Sequence, residues 1–108
     1  MQRGDLWYVV GKGDYADKPR PYLILQRSEL ILPDGSITMM PLTGLLTESS
    51  LIRVRITPDE HNGLDKPSEI MVDKIQTMKV IRLKQKIGAV TEDVLESVMK
   101  KLSFLLEM

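Results

Sequence analysis

The sequence predicts a small, mostly-β domain of the α+β class, a closed or nearly closed barrel ended by one helix. Three observations carry that expectation. Short runs of aliphatic, β-branched and aromatic residues follow one another, broken by Gly, Pro or Asn. The segment from Leu51 to Thr57 alternates apolar and polar side chains. Only the final stretch changes period, with apolar residues recurring at helical spacing.

The elements follow in order. Leu6-Trp7-Tyr8-Val9-Val10 reads as a strand stopped by Gly11 and Gly13, and a polar loop runs on to Pro19. Pro21 opens Tyr22-Leu23-Ile24-Leu25-Gln26, a continuous apolar run that suits a strand buried on both faces. Pro33-Asp34-Gly35 is a turn feeding the strand Ser36 to Met40, because Pro fixes one dihedral and Gly accepts a positive one. Between Leu51 and Thr57, Ile52, Val54 and Ile56 share one face, which leaves Arg53 and Arg55 pointing outward from the other. Asn62-Gly63 and Lys66-Pro67 mark a loop. Ile70-Met71-Val72 and Ile75 to Val80 read as one long or bent strand, and Lys86 to Val90 as another. Val94, Leu95, Val98, Met99, Leu102, Leu105 and Leu106 form one stripe of a helix. Thr91 is its expected N-cap, with Glu92 and Asp93 complementing the positive end.

Size and composition bound the function. With 108 residues, a single domain spanning 1–108 can bury its core without staples. The absence of cysteine removes disulfides, thiolate catalysis and cysteine-based metal sites. Neither a secretory start nor an apolar run long enough for a bilayer is visible, so a cytoplasmic protein without membrane contact is expected. Fifteen basic and fifteen acidic residues cancel, which argues against nucleic-acid binding by bulk charge. The distribution is uneven, however. Lys74, Lys79, Arg82, Lys84 and Lys86 follow one another with no intervening acid. A lone His61 excludes paired-histidine chemistry, and the adjacent Asp59 and Glu60 do not make a metal site.

Five blocks, in order, give the chain a family resemblance. They are Arg3-Gly4-Asp5-Leu6-Trp7; Lys18-Pro19-Arg20-Pro21 with Leu23-Ile24-Leu25-Gln26; Met40-Pro41-Leu42-Thr43; Asn62-Gly63-Leu64-Asp65-Lys66-Pro67-Ser68; and Asp73-Lys74-Ile75-Gln76-Thr77 with Arg82-Leu83 and Lys86-Ile87-Gly88. Together they resemble the MazF/PemK toxin family across nearly the whole chain. The resemblance implies an SH3-like small barrel that forms a homodimer. It also implies cleavage of single-stranded RNA without metal or other cofactor, and inhibition by a cognate antitoxin protein.

The resemblance assigns roles residue by residue. Arg20 matches the family's catalytic arginine; a guanidinium fork holds the scissile phosphate and stabilises the charge that grows on it. Without the resemblance, an arginine before a proline reads as a surface residue. Thr43 matches the catalytic threonine, whose hydroxyl both donates and accepts. Its neighbour, a serine in many relatives, is Gly44 here, so one possible phosphate donor is absent. Asp73 stands where one branch of the family has a proton-accepting acid, partnered by an arginine two residues earlier. That position is Met71 here, which leaves the aspartate without its local cation. Lys74 and Gln76 replace the family's glutamine and arginine, so base preference is expected to differ. Ser68 in the loop, and Lys12 and Lys18 before the second strand, complete the expected RNA contacts.

Two rivals remain at this level. A CcdB-like poison of DNA gyrase shares the fold, but depends on a tryptophan-containing C-terminal end; this chain ends Leu105-Leu106-Glu107-Met108. A catalytically degenerate family member is the other, motivated by Met71, Gly44 and the zero net charge.

Overall fold

The computed structural model describes residues 1–10, 19–47 and 51–108. Seven strands and one α-helix form its framework: β1 Asp5–Val9, β2 Arg20–Ile24, β3 Ser36–Thr43, β4 Arg53–Ile56, β5 Ser68–Met71, β6 Gln76–Lys79, β7 Leu83–Ala89 and α1 Glu92–Leu106. Every strand pairing is antiparallel. The sheet runs β4-β5-β3-β2-β1-β7, and β6 pairs with β3 off this path.

The long β3 organises the sheet. One edge of it pairs with β2; the other takes β6 along Ser36–Met39 and β5 at Leu42 and Thr43. Two strands therefore share one edge, and the chain between them must turn. It does so in a 3₁₀ turn at Val72–Lys74, with Val72 fully buried. The single long strand expected over Ile70 to Val80 is thus corrected to two strands. A second 3₁₀ turn, Val80–Arg82, leads into β7, which starts three residues earlier than its sequence suggests.

Apolar residues fill both faces of the sheet. Leu6, Leu23, Met40, Leu42, Val54, Ile56 and Ile70 pack with Val98 and Leu102 of α1. Val9, Tyr22, Ile24, Ile37 and Met39 build a second cluster on the opposite face, against which Trp7 packs. The alternation of Leu23 and Ile24 between these clusters explains why β2 is apolar throughout, as expected of a strand covered on both sides.

The sheet does not close. Among the described residues β4 and β7 remain its two ends. Helix α1 covers the apolar face near β4, so burial there comes from a helix rather than from a closing strand pair. The mostly-β fold with a C-terminal helix stands, and the barrel is an open one. Thr91 caps α1 as expected, its Oγ1 accepting from the Val94 N–H at 3.3 Å. The helical stripe outruns the core, however. Val98 and Leu102 are buried, whereas Phe104, Leu105, Leu106 and Met108 stay exposed. No helix among the described residues is long and apolar enough to cross a membrane.

Candidate active site

Strand register builds the site. Tyr22 pairs with Pro41 and Leu23 with Met40, so the same register carried on brings Arg20 level with Thr43. Thr43 in turn pairs with Glu69, and Glu69 with Arg55. Residues directly opposite each other in an antiparallel pair share a face. Arg20, Thr43, Glu69 and Arg55 therefore form one row across four strands.

A cleft of about 460 Å³ opens beside the β2 and β3 end of this row. Arg20, Thr43, Gly44, Lys66, Ser68 and Tyr8 line it, over an apolar floor that includes Leu42 and Leu64. Two of the three expected catalytic residues thus meet in one cavity. Thr43 is fixed there, because its Oγ1 accepts from the Leu45 N–H at 3.1 Å. That bond uses an oxygen lone pair and leaves the hydroxyl proton free to donate. Arg20 is exposed, and among the described residues it makes no ion pair.

Asp73 does not line the cleft. It sits in the 3₁₀ turn after β5, with its side chain 20% exposed. The expectation that it lacks a cation is corrected by topology. Arg53 pairs with Met71 across the β4–β5 ladder, and its Nε lies 3.7 Å from Asp73 Oδ1. A cation missing from the aspartate's own strand is supplied by the neighbouring one. Lys74 Nζ lies 3.6 Å from Oδ2. Oδ1 is nevertheless buried and accepts no hydrogen bond among the described residues.

Arg53 and Arg55 do not simply point to solvent, as their alternation suggested. Both turn onto Glu69, a carboxylate only 4% exposed. Arg55 Nη2 donates to Glu69 Oε2 at 3.0 Å and to the Thr47 carbonyl; Arg53 Nη1 lies 3.8 Å from Oε1. The Thr47 N–H and hydroxyl also donate to Glu69, at 3.0 and 3.1 Å. Burial by itself pushes the Glu69 carboxyl upward. The donors from Thr47 and the Arg55 guanidinium outweigh that and hold its pKa below the ordinary 4.5. Glu69 was not anticipated from sequence. The signal was present in Arg53 and Arg55, since two cations on one strand face call for an anion on the next strand.

Gln76, on β6, joins the same face through Tyr22, whose hydroxyl donates to Gln76 Oε1 at 3.4 Å. The Tyr22 phenol is raised in pKa, chiefly by burial, with the Gln76 bond and the Arg20 charge opposing the rise. Lys74 is exposed beside Asp73. Ser68 is buried, and its hydroxyl donates to the Lys66 carbonyl at 3.0 Å, so its proton fixes the loop. Lys12 and Lys18 lie outside the described residues.

That loop is tied down by Asn62, which is 3% exposed. Its Oδ1 accepts from the N–H groups of Asp59 and Leu64, and its Nδ2 donates to the Thr57 carbonyl. Gly63 follows at φ +67, and a Cβ on it would lie well under 3.0 Å from the Ile87 carbonyl oxygen. The loop therefore crosses β7 in backbone contact and delivers Lys66 to the cleft. Among the described residues no group of three or more His, Asp or Glu side chains is arranged to hold a metal.

Comparison with known proteins agrees with this architecture. Residues 2–106 match the family model of the PemK-like, MazF-like toxins of type II toxin–antitoxin systems. The chain is 36% identical over 92 residues to a probable endoribonuclease MazF of Mycolicibacterium smegmatis, covering 85% of this chain and 84% of that protein. It is 39% identical over 77 residues to the endoribonuclease MazF3 of Mycobacterium tuberculosis, with 67% of each covered. Among solved structures, the Mycobacterium tuberculosis toxin MazF-mt6 superimposes with a TM-score of 0.79 at 24% identity, over 96% of this chain and 97% of that one. A MazE–MazF structure from Deinococcus radiodurans gives 0.80 at 22% identity, over 100% and 97%.

Proposed function

This chain belongs to the family of PemK-like, MazF-like toxins of type II toxin–antitoxin systems, and from that membership we propose that it is an endoribonuclease acting on single-stranded RNA in the cytoplasm. The 2′-hydroxyl attacks the adjacent phosphate, the P–O5′ bond breaks, and the products carry a 2′,3′-cyclic phosphate and a 5′-hydroxyl. No metal takes part. The observation that carries the reading is the meeting of the Arg20 guanidinium and the Thr43 hydroxyl in one cleft, level with each other across β2 and β3.

Arg20 binds the scissile phosphate and stabilises the negative charge that grows on its equatorial oxygens. Thr43 donates its free hydroxyl proton to the same phosphate. Asp73, the acid the family pattern supplies, takes the 2′-proton through Oδ2, the oxygen on the Lys74 side, since Oδ1 is buried out of a substrate's reach, and RNA must extend from the cleft toward it. The departing 5′-oxygen draws its proton from solvent, because a guanidinium holds its own. Gln76 and Lys74 contact the RNA on the Asp73 side. Ser68 acts by holding the loop at Lys66, and Lys12 and Lys18 meet backbone phosphates. Phe104, Leu106 and Met108 at the end of α1, together with Leu51, are large apolar side chains left exposed in the monomer and support a homodimer. A cognate antitoxin protein is the inhibitor.

The test is cleavage of a long, defined RNA in excess EDTA, with the ends of the products mapped. The parent should cut and leave cyclic-phosphate ends, while Arg20→Ala should lose at least about a hundredfold in kcat, the scale of one lost oxyanion donor. An Arg20→Ala protein as fast as the parent would overturn the residue assignment. A parent that leaves RNA intact but inhibits gyrase would replace the ribonuclease with the gyrase poison.

A further inference from the structure

We propose that Lys66 is a second phosphate-binding cation of this cleft, and that the missing side chain of Gly44 provides its seat. The inference rests on the ribonuclease reading and adds to it a residue and the reason that residue sits where it does.

The first observation is spatial. A Cβ added to residue 44 would lie 2.5 Å from Lys66 Cε, 2.7 Å from Nζ and 3.3 Å from Cδ. Contacts this short do not occur, so the end of the lysine occupies the space that a side chain at 44 would fill. The ammonium therefore lies directly over the backbone one residue after Thr43. The second observation concerns the base of the lysine. Its carbonyl accepts from the buried Ser68 hydroxyl at 3.0 Å, and its loop is pinned by Asn62. The backbone at 66 is thus held at both ends, and the side chain has a defined origin.

The third observation is charge. Arg53 and Arg55 are engaged by Glu69, Lys74 by Asp73, and Lys86 by Asp5 at 3.6 Å. Arg20 and Lys66, by contrast, face the cleft, and neither makes an ion pair among the described residues. Asp65, the one acid in the cleft lining among the described residues, pairs with neither, so two cations flanking one hydroxyl make an anion site. A phosphodiester backbone is the anion that such a row of cation, hydroxyl and cation accommodates. Arg20 presents a planar fork suited to the reacting phosphate, and Lys66 a point charge suited to holding a phosphate next to it. The glycine that removes a hydroxyl donor from this chain thereby admits a full positive charge.

Gly44 gives a clean probe. Its φ lies outside the positive range, and the atoms a Cβ would meet belong to the mobile end of a lysine rather than to backbone. Gly44→Ala should therefore preserve the fold and evict the ammonium. The experiment uses the full chain and a 2′-O-methyl RNA oligonucleotide that cannot be cleaved, titrated at several salt concentrations, beside kinetics on cleavable RNA. Lys66→Met should weaken binding about fivefold and reduce the slope of log affinity against log salt by about 0.7, one single-strand phosphate contact. KM should rise by a similar factor with kcat little changed, the signature of uniform binding. Gly44→Ala should move both readouts in the same direction, and the double variant should be no weaker than Lys66→Met alone. Melting temperatures should match the parent. An unchanged salt slope in Lys66→Met, or a Gly44→Ala defect that persists in full without the lysine, would overturn the inference while leaving Arg20-dependent cleavage intact. A parent that binds the oligonucleotide but never cuts would sink the ribonuclease reading instead, with the salt slope still deciding on Lys66.

Discussion

Replacing Gly63 by alanine tests how the site loop is held. Two costs follow from its position. A non-glycine residue at φ +67 costs roughly 1–2 kcal/mol, because its Cβ crowds the following carbonyl. The Cβ would also press on the Ile87 carbonyl oxygen and lie 3.1 Å from the carbonyl carbon and from Cγ2 of that residue. Ile87 is in β7, which pairs with β1, and the Ala89 N–H donates to the His61 carbonyl at 3.0 Å, so neither chain can withdraw freely. Overpacking of this kind adds about 1–3 kcal/mol. The expected loss is therefore about 2–5 kcal/mol, a large part of the stability of a chain this size. In a thermal melt it should appear as a fall of roughly 10–20 °C. Gly63→Asn separates the two costs. Asparagine tolerates the left-handed region but keeps the Cβ, so it should recover only about 1 kcal/mol. Gly63→Ala melting within about 3 °C of the parent, by circular dichroism, would refute the backbone-contact argument; asparagine as stable as glycine would show that the dihedral alone mattered.

Glu69 should govern the acid limb of stability. Its carboxyl is depressed below 4.5 in the fold, so its contribution is complete above that value and is lost as pH falls through the lower, folded-state pKa. Glu69→Gln should be less stable than the parent near neutral pH, with the gap narrowing steadily below about pH 4.5 in melts across the acid range; a constant gap would contradict the pairing. Arg53 spans Glu69 and Asp73 at 3.8 and 3.7 Å, longer than hydrogen bonds. Arg53→Leu should therefore cost only about 1 kcal/mol in a denaturant titration. A loss above roughly 3 kcal/mol would mean that the two carboxylates depend on this cation as a buried pair does.

Legibility from sequence followed the range of the interaction. The two-sided burial of β2 was written in Tyr22-Leu23-Ile24, and the helix start in Thr91-Glu92-Asp93, because these depend on a few neighbouring residues. The turn at Val72–Lys74 was not legible. Nothing from Ile70 to Val80 is a glycine or proline, and the break arises because β5 and β6 must share one edge of a distant β3. The same division runs through the site. Arg20 and Thr43 came from family motifs and meet in the cleft. The Arg53–Asp73 ion pair joins residues 20 positions apart in sequence through ladder register, which no local pattern records. Lys66 was visible only as part of a loop motif; its place over Gly44 is a property of folded space.

The alignment of Arg20, Thr43, Glu69 and Arg55 across four strands has a consequence for how this molecule tolerates change. Side chains in a strand alternate between faces, so deleting one residue within β5 would turn Glu69 to the opposite face, into the apolar cluster under α1, and set an isoleucine in its place. Insertions in the connecting loops would leave the alignment untouched. Variation between related chains should therefore accumulate by lengthening and recolouring the loops that rim the cleft, while the lateral row is either kept whole or abandoned at a stroke.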